Sequence, residues 1–144
     1  MTDRFPANTI TGKSGAYSAN DVVGGVLRFP NVPGGTLRRI LITDKAAQVV
    51  TWRLVLFRSV PTTIADDAAY AVAAADQPNI VFDEQFTAAT YQRISGGRSV
   101  HLIEGLDSDL PTPAGDSLYG YLVTVSGGSS TSTTDMSVSL DVDG

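Results

Sequence analysis

Residues 36–82 read TLRRILITDKAAQVVTWRLVLFRSVPTTIADDAAYAVAAADQPNIVF. Residues 37–43 and 49–57 are dense in β-branched, aliphatic and aromatic side chains and are joined by a short polar turn, which predicts two strands. In the second run Val50, Trp52, Leu54 and Leu56 share one apolar face. The other face carries Val49, Thr51, Arg53, Val55 and Phe57 and is mixed, so it is expected to be exposed. The segment after Pro61 is rich in alanine and aspartate. Thr63 with Asp66 three residues on resembles a helix start, and Ile64, Ala68, Ala71, Val72 and Ala75 would share a face. Asp76 at the far end opposes the helix dipole, so one or two turns at most are expected before Pro78 redirects the chain.

The same period of two recurs outward from this stretch. Met136, Val138, Leu140 and Val142 alternate with Ser137, Ser139, Asp141 and Asp143, the pattern of a half-buried antiparallel strand. Tyr119, Tyr121, Val123 and Val125 alternate with Gly120 and Thr124, and Val100 and Leu102 with His101 and Ile103. Four Gly-Gly pairs punctuate the chain, at 24–25, 34–35, 96–97 and 127–128. The first interrupts the apolar run DVVGGVLRF and predicts a bulge inside a strand. Short strands with turn signals between them predict an all-β sandwich or barrel. Trp52, Leu54, Leu56, Leu122, Val138 and Leu140 are its expected core. Residues 1–20 are polar and hold few core-forming groups, so they form an N-terminal arm or a first strand. Residues 21–144 form the sandwich, and 126–134 (SGGSSTSTT) read as a loop.

The bulk properties narrow the function. A chain of 144 residues is expected to be one domain. It has no cysteine, which excludes disulfides and thiolate metal sites. A net charge of −5 argues against nucleic-acid binding. No run approaches the roughly 20 apolar residues of a membrane span, and MTDRFPANTI lacks the pattern of a secretion signal. The one histidine, His101, lies in a strand-like run and reads as structural. Glu104, Asp107 and Asp109 cluster without the spacing of a calcium loop. Asp83 and Glu84 do not make a glycosidase, because the one tryptophan is on the core face and no aromatic cleft is supplied. Arg38, Arg39, Arg53 and Arg58 read as edge charges that block unwanted strand pairing or, in a sharper reading, as contacts to an acidic partner. No catalytic residue, cofactor or metal is therefore expected, and the chain is not expected to be an enzyme.

The run 37–81 also resembles the small decoration, or cementing, proteins encoded among the head genes of tailed bacteriophages. The likeness rests on Thr43-Asp44 and Leu56-Phe57 at strand ends, on Pro61 to Thr63, on Asp67 to Ala69 and on Ala75-Asp76. DVVGGVLRF resembles their first core strand. The likeness covers the first two-thirds of the chain; nothing after Gly105 is matched. It implies a jelly roll of about eight strands, made in the bacterial cytoplasm. Such a jelly roll binds the major capsid protein on the outside of an icosahedral virion and cements neighbouring capsomers. The alternative is a jelly-roll carbohydrate-binding module, for which Tyr17, Tyr70, Tyr91, Tyr119 and Tyr121 are the candidate sugar platforms. A bridging module gains avidity by pairing with itself, so a homodimer is expected, with a trimer second. Arg4, Phe5 and Tyr17 of the N-terminal arm are the expected capsid contacts, with Phe5 as anchor. Val49, Val55 and Phe57 on the mixed face are the expected self-contacts.

Overall fold

The computed structural model describes residues 2–7, 10–46, 50–87, 92–95, 98–113, 115, 117–130 and 136–144. Among these residues the chain is nearly all β. The strands in chain order are β1 (Thr2–Pro6), β2 (Gly15–Tyr17), β3 (Asp21–Pro30), β4 (Gly35–Asp44), β5 (Trp52–Phe57) and β6 (Ile80–Phe86). They continue with β7 (Gln92–Ser95), β8 (Arg98–Ile103), β9 (Ser108–Leu110), β10 (Ser117–Thr124), β11 (Gly128–Ser130) and β12 (Met136–Asp143).

Two antiparallel sheets pack on each other. The first runs β1-β12-β4-β8-β7, with β9 continuing the pairing along β4; the second runs β3-β10-β5-β6. β2 and β11 form a separate small ribbon. The long strands β1, β3, β4, β5, β6, β8, β10 and β12, numbered one to eight, give orders 1-8-3-6 and 2-7-4-5. That is a jelly-roll arrangement, in which the chain passes repeatedly between the sheets. β4 and β5, adjacent in sequence, lie in different sheets for this reason.

The core lies between the sheets. Leu37, Ile40 and Ile42 of β4 and Val138, Leu140 and Val142 of β12 face Leu27 and Phe29 of β3, Trp52, Leu54 and Leu56 of β5 and Leu122 of β10. All six expected core residues are buried there. Gly24 and Gly25 have φ of 83° and 67°. Gly120 pairs with Leu27 and Leu122 with Val23, so Gly24, Gly25 and Val26 stand opposite Tyr121 alone. The predicted bulge is present, and glycine permits the left-handed backbone it needs.

Residues 64–76 form turns, not helix, and a short 3-10 turn follows at Gln77–Asn79. The bound of one or two turns holds, and no α-helix develops from Thr63 because this backbone bonds to β3. Val22 N donates to Ala68 O at 2.8 Å, Asp67 N to Val22 O at 2.9 Å, and Tyr70 N to Asn20 O at 2.8 Å. Asp67 sits at φ 65°, outside helical space. The neighbouring strand thus satisfies the groups that an i→i−4 ladder would use.

Residues 2–6 are a strand of the first sheet and not an arm on a neighbour. Thr2 to Pro6 pair antiparallel with Asp143 to Ser139. Phe5 packs against the chain's own core.

Truncating Leu54 or Leu140 to alanine should cost about 2–5 kcal/mol, read by urea denaturation. A loss below about 1 kcal/mol at both positions would mean that the buried face has been assigned wrongly.

Candidate interaction surface

The outer faces of the two sheets are unequal. On the second sheet, alternation points Val55 and Phe57 of β5 and Tyr119, Tyr121 and Val123 of β10 away from the core. They are not left to solvent. Residues 58–79 leave β5, cross this face as a strap and return into β6. Val22, Val55, Phe57, Tyr121 and Val123 are buried beneath it and form a second apolar cluster with Ile64, Tyr70, Val72 and Ile80. The expectation that Val55 and Phe57 are exposed self-contacts is therefore corrected: both are fully buried by the strap. Val49 lies outside the described residues.

Specific hydrogen bonds hold the strap. The Tyr121 hydroxyl donates to Thr62 O at 2.7 Å and accepts from Ile64 N at 3.0 Å. Asp76 accepts from Thr62 N at 2.8 Å. Arg58 N donates to Asn79 O at 3.0 Å and closes the strap's base. Tyr17, expected as an arm contact, is buried and serves the same structure. Its hydroxyl donates to Asp66 at 2.9 Å and accepts from Lys13 N at 2.8 Å, while Gly24 N donates to the same Asp66 oxygen at 2.7 Å. Burial raises the phenol pKa of both Tyr17 and Tyr121, so each stays a neutral donor. Arg53 is held by Asp83 through two hydrogen bonds of 2.8 and 2.7 Å and lies 4.9 Å from the Tyr70 ring. Burial pushes Tyr70 up to about 12.

On the first sheet no segment among the described residues covers the outer face. Its outward rows, read across the register, are Arg4–Asp141–Arg39, then Pro6–Ser139–Leu41–Leu102, then Ser137–Thr43–Val100. Leu41, Val100 and Leu102 are half-buried and belong to neither apolar cluster. Thr43 and Ser137 share a hydrogen bond. Arg4 binds Asp141 at 2.8 and 3.1 Å, and Arg39 reaches the same carboxylate at 2.9 Å. Two half-exposed guanidiniums thereby cover a carboxylate that is only 4 % exposed. The hydrogen bond from Arg4, with help from Arg39, lowers the Asp141 pKa below the usual carboxylate range. Arg4 thus lies on the open face, but as the clamp that fixes β1 to β12, while Phe5 points to the core side.

A bulge brings Arg38 and Arg39 to the same side of β4. Asp141 pairs with Arg39 and Val142 with Leu37, leaving Arg38 as the extra residue. Arg38 binds Asp107 at 2.9 Å and approaches Asp143 at 3.8 Å. The arginines singled out in the sequence therefore have partners within the chain; Arg58 bonds Asn79 at 3.1 Å. His101 is buried on the core side of β8. Glu104 and Asp109 are exposed, and Asp83 is engaged by Arg53, not by a second acid. Among the described residues no three His, Cys, Asp or Glu gather as a metal site. A shallow cleft of about 280 Å3 beside the β3–β4 loop is lined by Asn31, Val32, Pro33, Thr112 and Gly115, none of them titratable.

No helix among the described residues is long and apolar enough to cross a membrane. Compared with protein-family models, curated proteins and solved structures, the chain gives no match.

The Arg4–Asp141–Arg39 triad makes a signed prediction. Because the folded-state pKa of Asp141 is depressed, its stabilisation is present above the unfolded value near 4 and is lost as pH falls through the folded value. Asp141→Asn should cost about 1.5–3 kcal/mol at pH 7, and the gap to wild type should close in acid. Hydrogen exchange should show β1 loosening first. Equal gaps at pH 7 and pH 2 would contradict the assignment. For the strap, Tyr121→Phe should cost about 1–2 kcal/mol and speed exchange across residues 58–79 without disturbing β12.

Proposed function

We propose that this chain is a non-enzymatic structural module that binds the outer surface of an icosahedral phage capsid and cements neighbouring capsomers. One observation carries the reading. The residues that resemble phage head decoration proteins, 21–29 and 37–81, include the strap and two strands that it lies against, β3 and β5. They also supply β4; Phe57 is buried beneath the strap, and Asp67 and Ala68 bond Val22 of β3. The quoted pattern is thus the pattern of a jelly roll that closes one of its own faces.

A sandwich packed on both faces of its second sheet suits a cement, whose work is to hold two neighbours at fixed separation. Attachment falls to loops and sheet rims, since residues 2–6 are committed to the chain's own first sheet. The carbohydrate-binding alternative loses part of its platform. Tyr17 and Tyr121 are buried and hydrogen-bonded inside the protein.

The test is binding to undecorated capsids assembled from the major capsid protein encoded in the same genome. The chain should co-sediment with them to a saturating, symmetry-related stoichiometry and raise the temperature at which they rupture. Failure to co-sediment, or binding without any change in rupture, would contradict the cementing role.

A further inference from the structure

Charge on the open face of the first sheet is sorted by position. At one end, Thr36 of β4 lies between Asp109 of β9 and Asp143 of β12, in one row across the sheet. Asp107 lies at the same end, where Arg38 binds it and approaches Asp143. At the other end, Asp44 pairs with Ser99. Lys45 follows the first and Arg98 precedes the second, both exposed. Lys45, Arg98 and Asp109 make no ion pair among the described residues. Between the ends lie the Arg4–Asp141–Arg39 row, where two guanidiniums share one carboxylate and Arg39 also approaches Glu104 at 3.9 Å, and the half-buried Leu41, Leu102 and Val100.

Leu41 is five residues from Thr36 and four from Lys45, so the apolar centre is close to the midpoint between the opposite charges. A face that is acidic at one end, basic at the other and apolar in the middle is complementary to itself under a half-turn about its centre.

We propose that two copies of the chain associate through this face, about a two-fold axis passing near Leu41 and Leu102. The half-turn sets Lys45 and Arg98 of each copy over Asp107 and Asp109 of the other, and the contact occurs twice. It also brings the two sets of Leu41, Val100 and Leu102 together. The size is adequate. Strands of three to ten residues, at about 3.3 Å per residue and 4.8 Å apart, give a face of about 600 Å2, the lower end of the roughly 600–1,000 Å2 per partner of a standard interface. The second sheet offers no equivalent, because its outer face is covered by residues 58–79. The pairing does not depend on the capsid reading. If both hold, the pair presents two sets of loops to adjacent capsomers.

The experiment is sedimentation velocity on the full chain over a concentration series, with two charge-reversed variants. Lys45→Glu with Arg98→Glu makes both ends acidic; Asp107→Lys with Asp109→Lys makes both ends basic. All four positions are exposed, so far-UV circular dichroism should show both variants folded. The wild type should form dimers that weaken as salt is raised to about 0.5 M. Each variant alone should dimerise at least about ten-fold more weakly, and an equimolar mixture should recover heterodimers close to wild-type strength. A wild type that stays monomeric at millimolar concentration would overturn the proposal. So would a dimer that neither reversal weakens, or two weakened variants that fail to rescue each other.

Discussion

Both faces of β5 and β10 are buried, and the rest of the structure is arranged around that constraint. A strand in the middle of a sandwich normally shows one face to the core and one to water. Here Leu54, Leu56 and Leu122 fill the inter-sheet core, while Val55, Phe57, Tyr121 and Val123 form a second apolar layer behind it. That second layer needs a cover. The chain provides one by sending residues 58–79 across it before β6 begins. The strap's backbone is then satisfied by the edge of β3 and by the Tyr121 hydroxyl. The bulge at Gly24-Gly25 belongs to the same arrangement, because Gly24 N meets the Asp66 carboxylate there.

The first sheet solves the opposite problem. Its outer face has no strap among the described residues, and side chains of intermediate polarity serve in place of a cover. Serine and threonine hydroxyls pair across β12 and β4, and Asp141 is shielded by two arginines from flanking strands. Shared between β1, β12 and β4, this carboxylate ties the N-terminal strand into the sheet. Of the two readings that the sequence leaves for this segment, an arm or a first strand, it makes residues 2–6 the strand. The result is a domain with one closed side and one open side.

Most of the fold is legible in the sequence because its signals are local. Period-two alternation in 136–143 and 50–56 marks the core, and Gly24-Gly25 marks the bulge. The strap is harder to read, although a signal for it exists. Val55 and Phe57 stand on the face opposite Leu54 and Leu56, and Tyr119, Tyr121 and Val123 repeat the pattern in β10. Apolar groups on both faces of two strands imply burial on both faces. The alanine-rich segment misleads because helix propensity is a weak prior once a neighbouring strand offers hydrogen bonds. The role of residues 2–6 is hidden for a different reason. Arg4 and Asp141 are 137 residues apart in sequence, and no local pattern announces a pairing at that distance. The same holds for the sorted charges of the open face, which depend on register among β4, β8, β9 and β12.

The proposed pairing makes the two sides of the domain distinguishable by experiment. Because the chain has no cysteine, single engineered cysteines can report on each side separately. Ser137→Cys places a thiol on the open face; Val60→Cys places one on the strap, where the side chain is 63 % exposed. The most direct test is the rate of maleimide labelling of each variant as protein concentration rises. If the open face is the meeting surface, labelling at position 137 slows with concentration while labelling at position 60 stays constant. Slowing at position 60 alone, or no slowing at either, would contradict the assignment of the open face as the interaction surface.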